Sequence, residues 1–154
     1  MAGLSQQLPL RKKILNGVFC ECVLSLLDHP GRALVEFGRI LKPGGCLMIT
    51  DLYAHRPEGV SSLERLPLKS CLKCAKPRQK ILCLVEDAGF KPVLWEDHSH
   101  LLKQLAAKIF FQLEFMKEFW TRFAPHCAPQ DLTAGREQAS PGYYLMVARK
   151  KGGF

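Results

Sequence analysis

The spacing of apolar and polar positions switches between two periods along this chain, and the switches mark its elements. Gly17 to Leu27 is a nearly unbroken apolar run whose first part suits a strand buried on both faces. Asp28, His29 and Pro30 interrupt it. Ala33, Leu34, Phe37, Ile40 and Leu41 then recur at helical spacing, with Arg32, Glu36 and Arg39 on the opposite side. Lys42-Pro43-Gly44-Gly45 predicts the end of that helix, since proline cannot continue it and glycine supplies the backbone angles of a turn. Cys46 to Thr50 reads as a second buried strand, with Asp51, Leu52 and Tyr53 at its carboxyl end.

A strand, helix, strand unit of this kind predicts two parallel strands joined right-handedly, in a sheet covered by helices. From Ala54 to Pro77, prolines, serines and basic residues predict a loop with one short helix. A helix from about Arg78 to Ala88 follows, stopped by Gly89. Phe90 to Glu96 reads as a third strand. Leu101 to Phe123 is expected to be a long amphipathic helix, with Leu101, Leu105, Ile109, Leu113, Met116 and Trp120 on one side. Residues 124–141 hold three prolines and predict a loop, Tyr143 to Ala148 a fourth strand, and Arg149 to Phe154 a tail.

Composition narrows the class. The 154 residues suit one domain, and 47% apolar with 23% charged is ordinary for a globular chain. The net charge of +8 is scattered over three clusters, at Arg11 to Lys13, Lys69 to Lys80 and Arg149 to Lys151. That distribution reads as solvated surface rather than a nucleic-acid interface. No stretch approaches the roughly 20 apolar residues that cross a bilayer, and the start shows no apolar leader pattern. The expectation is a cytoplasmic protein without a membrane partner, whose seven cysteines are mostly reduced thiols.

Three groups of residues carry candidate chemistry. Glu21 and Cys22 sit at the exit of the first strand, where a buried glutamate in an apolar run needs a site or a partner. Cys20 and Cys22 share one face of that strand and Glu21 the other, with Cys20 expected in the core. Cys71-Leu72-Lys73-Cys74 has zinc spacing but lacks a second ligand pair, so no metal is expected. Trp95 to His100 places Asp97, His98 and Ser99 at a strand end, as a substrate contact or as a helix cap formed by Ser99 with Asp97 near the helix dipole.

Leu8-Pro9-Leu10, Asn16-Gly17-Val18, Leu41-Lys42-Pro43-Gly44-Gly45 and Leu47-Met48-Ile49-Thr50-Asp51 fall in an order, and at a spacing, that resembles class I S-adenosylmethionine-dependent methyltransferases of the type 11 group. Glu86-Asp87-Ala88-Gly89-Phe90 is similar to the approach to that fold's sixth strand, and Tyr143 to Arg149 to its seventh. The resemblance implies an α/β fold: a partial Rossmann-like sheet of strands four to seven, mostly parallel with an antiparallel last strand. It also implies that residues 1–151 are an incomplete domain without the amino-terminal cofactor-binding half, followed by a tail at 152–154. The glycine-rich loop and the ribose-binding acid of such folds have no counterpart in the sequence. Leu4 and Ser5 stand where an adenine-contacting acid would be, and Arg11 to Leu15 replaces an acidic loop.

The function so implied is methyl transfer from S-adenosylmethionine to an unidentified acceptor in an intact form. The alternative is a noncatalytic methyltransferase-like protein that acts as a binding partner. Leu4, Ser5, Glu21 and Cys22 would then face the cofactor, and Asp51, Tyr53, Asp97 and His98 the acceptor. A strand edge left without its first-strand neighbour further implies self-association.

Overall fold

The computed structural model describes residues 5–67, 70–111 and 129–152. Strand β1 runs Leu15–Glu21, helix α1 Pro30–Ile40 and strand β2 Leu41–Ala54, with a single 3-10 turn at Leu24–Leu26 after β1. Another 3-10 turn at Pro57–Gly59 precedes the short helix α2, Val60–Glu64. Then come β3 (Lys76–Pro77), α3 (Arg78–Asp87), β4 (Phe90–Asp97), α4 (Ser99–Phe111), α5 (Pro129–Ala139) and β5 (Pro141–Lys150).

The strands form one mixed sheet in the order β1-β2-β5-β4, with β3 pairing β2. β1 and β3 run parallel to β2, whereas β5 runs antiparallel to both β2 and β4. The last strand is therefore inserted between two earlier ones. The parallel β1–β2 pair needs the crossover that α1 supplies, as the spacing of its apolar residues predicts.

One face of the sheet carries the main core. Cys20, Leu47, Ile49, Tyr144, Met146 and Ala148 from the strands meet Ala33, Leu34 and Phe37 of α1 and Ile81 and Val85 of α3. A smaller core of Ala54, Leu63, Leu66, Ala75 and Ala139 lies around α2 and α5. The amino-terminal segment is pinned to α1 by a polar clasp. Glu36 accepts from the Leu8 amide at 2.8 Å, while Arg39 donates to the Leu10 carbonyl at 2.8 Å and pairs with Glu36 at 2.7 Å.

Several sequence expectations need correction. Lys42 to Gly45 does not separate helix from strand, because β2 already starts at Leu41. The irregularity is absorbed as a register shift between Leu15 and Gly17, with Gly44 at a φ of 71°. A helix, α5, occupies Pro129–Ala139, inside the segment expected to be a loop. Proline is at home in the first helical turn, where its missing N–H is not needed, and Asp131 complements the helix dipole there. β5 extends through Lys150, since the expected tail continues the ladder to Lys91 and Phe90. The stretch 54–77 includes the two-residue strand β3. The carboxyl part of the long helix expected after Leu101 lies outside the described residues.

Candidate functional site

The carboxyl ends of β1 and β2 lie side by side, because their parallel register pairs Glu21 with Thr50. Open α/β sheets place their ligands off this edge. Glu21 ends β1 and is exposed, which corrects the expectation of a buried glutamate. Glu21 points to the face of the sheet opposite the main core, as Phe19 does two residues before it, while Cys20 between them is buried. Thr50 is buried and its Oγ1 has no hydrogen-bond partner among the described residues, although Tyr143 approaches it short of bonding geometry.

The chain turns sharply after Glu21. Cys22 sits at a φ of 50°, a conformation uncommon for a residue with a Cβ, and its amide donates to the Thr50 carbonyl at 2.8 Å. Beyond it, Ser25 donates from its amide and its hydroxyl to the two carboxylate oxygens of Asp51, each at 2.8 Å. The Leu52 amide is a third donor, also at 2.8 Å. Asp51 is 1% exposed. A buried carboxylate is tolerated when bonded this fully, and here it ties the turn after β1 to β2 instead of facing outward.

Thiols surround this carboxylate. Burial pushes Cys20 up to about 11, and the Asp51 charge adds to the effect. Cys22 and Cys71 are pushed up for the same two reasons, with Cys22 itself contributing at Cys71. Cys74 lines a small cleft with Leu24, Ser25, Pro30, Asp51 and Lys76. These cysteines are free. Among the described residues, no group of three or more His, Cys, Asp or Glu is arranged to hold a metal ion.

A second cluster spans the ends of β2 and β4, with the start of β5 between them. Trp95 stacks on Tyr144 with ring centroids 4.3 Å apart, and Tyr53 stands edge-on to both rings. Arg78 lies 5.1 Å over Trp95. His55 Nδ1 meets the Tyr53 hydroxyl at 3.2 Å, and its Nε2 meets Ser99 Oγ at 3.2 Å and Asp97 at 3.6 Å. Asp97 accepts from the Ser99 amide at 2.7 Å and from its hydroxyl, so it caps the start of α4.

Burial raises Asp97, but hydrogen bonds from Ser99 and the nearby His55 outweigh it and hold the carboxyl below its ordinary range. Burial, then the charge of Asp97, pushes Tyr53 up to about 12. Asp97 and Ser99 address the same imidazole nitrogen. A nucleophilic triad needs them on opposite nitrogens, so this geometry does not activate the serine. A side chain at Gly142 would collide with Ser99, His55 and Tyr53, which explains glycine there.

Of the candidate cofactor residues, Glu21 and Cys22 stand together at the sheet edge. Ser5 lies apart in a turn of the amino-terminal segment, and Leu4 is outside the described residues. Of the candidate acceptor residues, Tyr53 and Asp97 join the second cluster and Asp51 is buried at the first. His98 instead pairs with Glu96 at 3.0 Å. The sequence reading missed Thr50, Tyr143 and His55 at these places. His55 carried a weak signal, just past the end of β2 and two positions beyond Tyr53; Tyr143 carried none, being brought in by the antiparallel return of β5.

Residues 1–49 match a family model described as a methyltransferase domain. No curated protein matches the sequence. Among solved structures, the (4+2)-cyclase SpnF is 24% identical with a TM-score of 0.67, and the match covers 99% of this chain and 56% of that one. An arsenic(III) S-adenosylmethionine methyltransferase from Chlamydomonas reinhardtii is 21% identical with a TM-score of 0.59, over 97% of this chain and 42% of that one. A phosphoethanolamine N-methyltransferase from Haemonchus contortus, solved with S-adenosyl-L-methionine, is 16% identical with a TM-score of 0.62, over 96% and 36%. The chain thus spans between about a third and just over half of the length of these three structures.

Proposed function

Starting from a chain with the class I methyltransferase fold, whose first third matches that domain's family model, we propose that it forms the acceptor-facing half of an S-adenosylmethionine-dependent methyltransferase. The observation that carries this reading is the sheet order β1-β2-β5-β4 with β5 antiparallel, together with the matched residues 1–49. Residues 1–151 would be an incomplete domain, and methyl transfer would require a cofactor-binding half in addition to them.

The residues present fit only one end of the cofactor. Glu21, the unpaired hydroxyl of Thr50 and the strained turn at Cys22 offer polar contacts at the sheet edge. The sequence contains no glycine-rich loop to approach a nucleoside closely. In such a transfer the donor supplies an electrophilic methyl group, and the protein's task is to align it with the acceptor. Tyr53 and Asp97 remain the proposed acceptor contacts. The edge of β1, unpaired among the described residues, would also favour self-association.

Calorimetric titration tests the reading. S-adenosylmethionine should not bind the chain alone at micromolar levels. It should bind once the amino-terminal half of a class I methyltransferase is added. Failure of that half to confer binding would favour a noncatalytic protein of the same fold.

A specific observation favours one acceptor class as a second reading. Cys22 and Cys71 lie close enough to Asp51, and Cys22 to Cys71, for their charges to be felt, and one structural neighbour acts on trivalent arsenic. A soft, thiol-binding acceptor would displace protons from both sulfurs. Phenylarsine oxide should then condense with both thiols, its oxygen leaving as water with their two protons, and Cys22→Ser or Cys71→Ser should abolish tight binding.

A further inference from the structure

We propose that the edge of the sheet opposite the candidate site grips a nucleic acid double helix by its phosphate backbone, without reading its bases. Basic residues far apart in the sequence meet there. β1 and β2 run parallel and β5 antiparallel to β2, so the amino ends of the first two strands lie beside the carboxyl end of the third. Arg11 to Lys13 lead into β1, Lys42 follows the first residue of β2, and Arg149 to Lys151 close β5. Hydrogen bonds to backbone carbonyls join these segments. The Lys13 amide donates to Arg39 at 3.0 Å, the Arg149 guanidinium to Gly44 at 3.2 Å and the Lys150 ammonium to Leu41 at 2.7 Å. Two of the three basic clusters that the sequence keeps apart thus become one row, with Lys42 between them.

The row is seven cations without an acid among them. None of the seven forms an ion pair among the described residues, and Glu36, whose clasp reaches the same segment, is spent on Arg39. Burial, and then the like charge of Lys13, hold the Lys150 ammonium below its usual range. Residues 112–128 carry two acidic and two basic side chains, so they add no net charge that could neutralise the row. Such a concentration of one sign attracts a polyanion.

Shape and surroundings choose the polyanion. Three strands about 4.8 Å apart make a row roughly 10 Å long, and a duplex carries one charge per about 1.7 Å of axis, so about six phosphates would face these cations. Along the row no aromatic side chain is exposed among the described residues, so unpaired bases would find nothing to stack on. A planar anionic membrane fits less well. The exposed Glu86 and Asp87 stand at the β4 end of this edge, beside Gly89, whose carbonyl accepts from the Lys151 amide. A flat charged surface would press on both carboxylates, whereas a narrow backbone lying along β1, β2 and β5 leaves them to one side. The row is a strand's length from Glu21 and Asp97, and the inference does not depend on the methyl-transfer reading.

Fluorescence anisotropy of a labelled DNA duplex of about 20 base pairs, titrated with the full chain, should give dissociation near about 10 µM in roughly 0.1 M salt. The logarithm of the binding constant should fall with that of salt at a slope of about −4, for four to five phosphates neutralised. Lys42→Glu with Lys151→Glu should weaken binding at least about tenfold and flatten the slope by about 2. Lys80→Glu with Lys103→Glu makes the same change in net charge near the starts of α3 and α4, and should cost less than about threefold. If Lys42→Glu lowers the thermal midpoint by disturbing the turn at Gly44, Lys12→Glu with Lys151→Glu gives the same reading. Equal losses from the row pair and the control pair would mean that net charge alone acts, and would overturn the proposal, as would no binding at about 100 µM. Retention on phosphatidylserine vesicles that the row variants abolish, with duplex binding intact, would assign the edge to a membrane and overturn it too.

Discussion

The two faces of the sheet are built from the same strands, in alternate residues, and have different fates. On one face Leu47, Ile49, Met146 and Ala148 are fully buried beneath α1 and α3. On the other, Phe19, Met48 and Leu94 reach solvent. Strand sequences such as Val-Phe-Cys and Leu-Met-Ile read as uniformly apolar, and that pattern belongs to sheets covered on both sides. The difference shows that the exposed half of each strand has the composition of an interface without an interface among the described contacts.

The contrast can be broken most severely on the covered face. Ile49→Ala should cost about 3 to 4 kcal/mol in urea unfolding, because a fully buried side chain leaves a cavity that α1 and α3 cannot collapse into. A cost below about 1 kcal/mol would show that this face is packed no better than the other. Asp51→Ala comes next, at about 2 kcal/mol, since it strands the hydroxyl and amide of Ser25 and the amide of Leu52 in a part-buried place.

Phe19→Ala sharpens the comparison from the other side. Measured at a concentration where the chain is monomeric, it should change stability by no more than about 0.5 kcal/mol, although phenylalanine is the larger residue. The smallest effect belongs to the outer surface of α1. Glu36 lies below its usual range, chiefly through its hydrogen bond from Arg39, so its contribution is complete above the ordinary value of 4.5 and is lost as pH falls through the lowered one. Thermal melts between pH 6 and pH 3 should show Glu36→Gln with a shallower acid decline, by roughly 1 to 3 °C, and the same midpoint slope at neutral pH.

Much of this architecture is legible in the sequence, for identifiable reasons. β1, α1, β2, α3, β4 and β5 follow from runs and spacings that the cores later justify, as with Ala33, Leu34 and Phe37 beneath the sheet. Composition misled at α5, where Pro129 reads as a loop residue but serves as a helix opener. The exposure of Glu21 was not legible either, because an apolar run does not say which face of its strand the helices cover. At the candidate site, local motifs located Asp97 and Ser99, but with the cap roles exchanged: Ser99 is the first residue of α4 and Asp97 accepts from its amide. Contacts such as Tyr143 near Cys22 are set by the antiparallel return of β5 from far along the chain, and nothing local encodes them.

That same return has a consequence for how the molecule comes into being. β5, at the far end of the sequence, fills the gap between β2 and β4, and each of its long ladders joins it to a strand made earlier. Until those residues emerge from the ribosome, β2 keeps one side bare and β4, once made, has no ladder partner in the sheet, so the nascent chain must hold two unsatisfied edges apart from the completion of β4 until β5 follows. Contacts of such long sequence separation close slowly. The waiting interval, more than the finished structure, is when this chain is most open to capture by a chaperone or by another copy of itself.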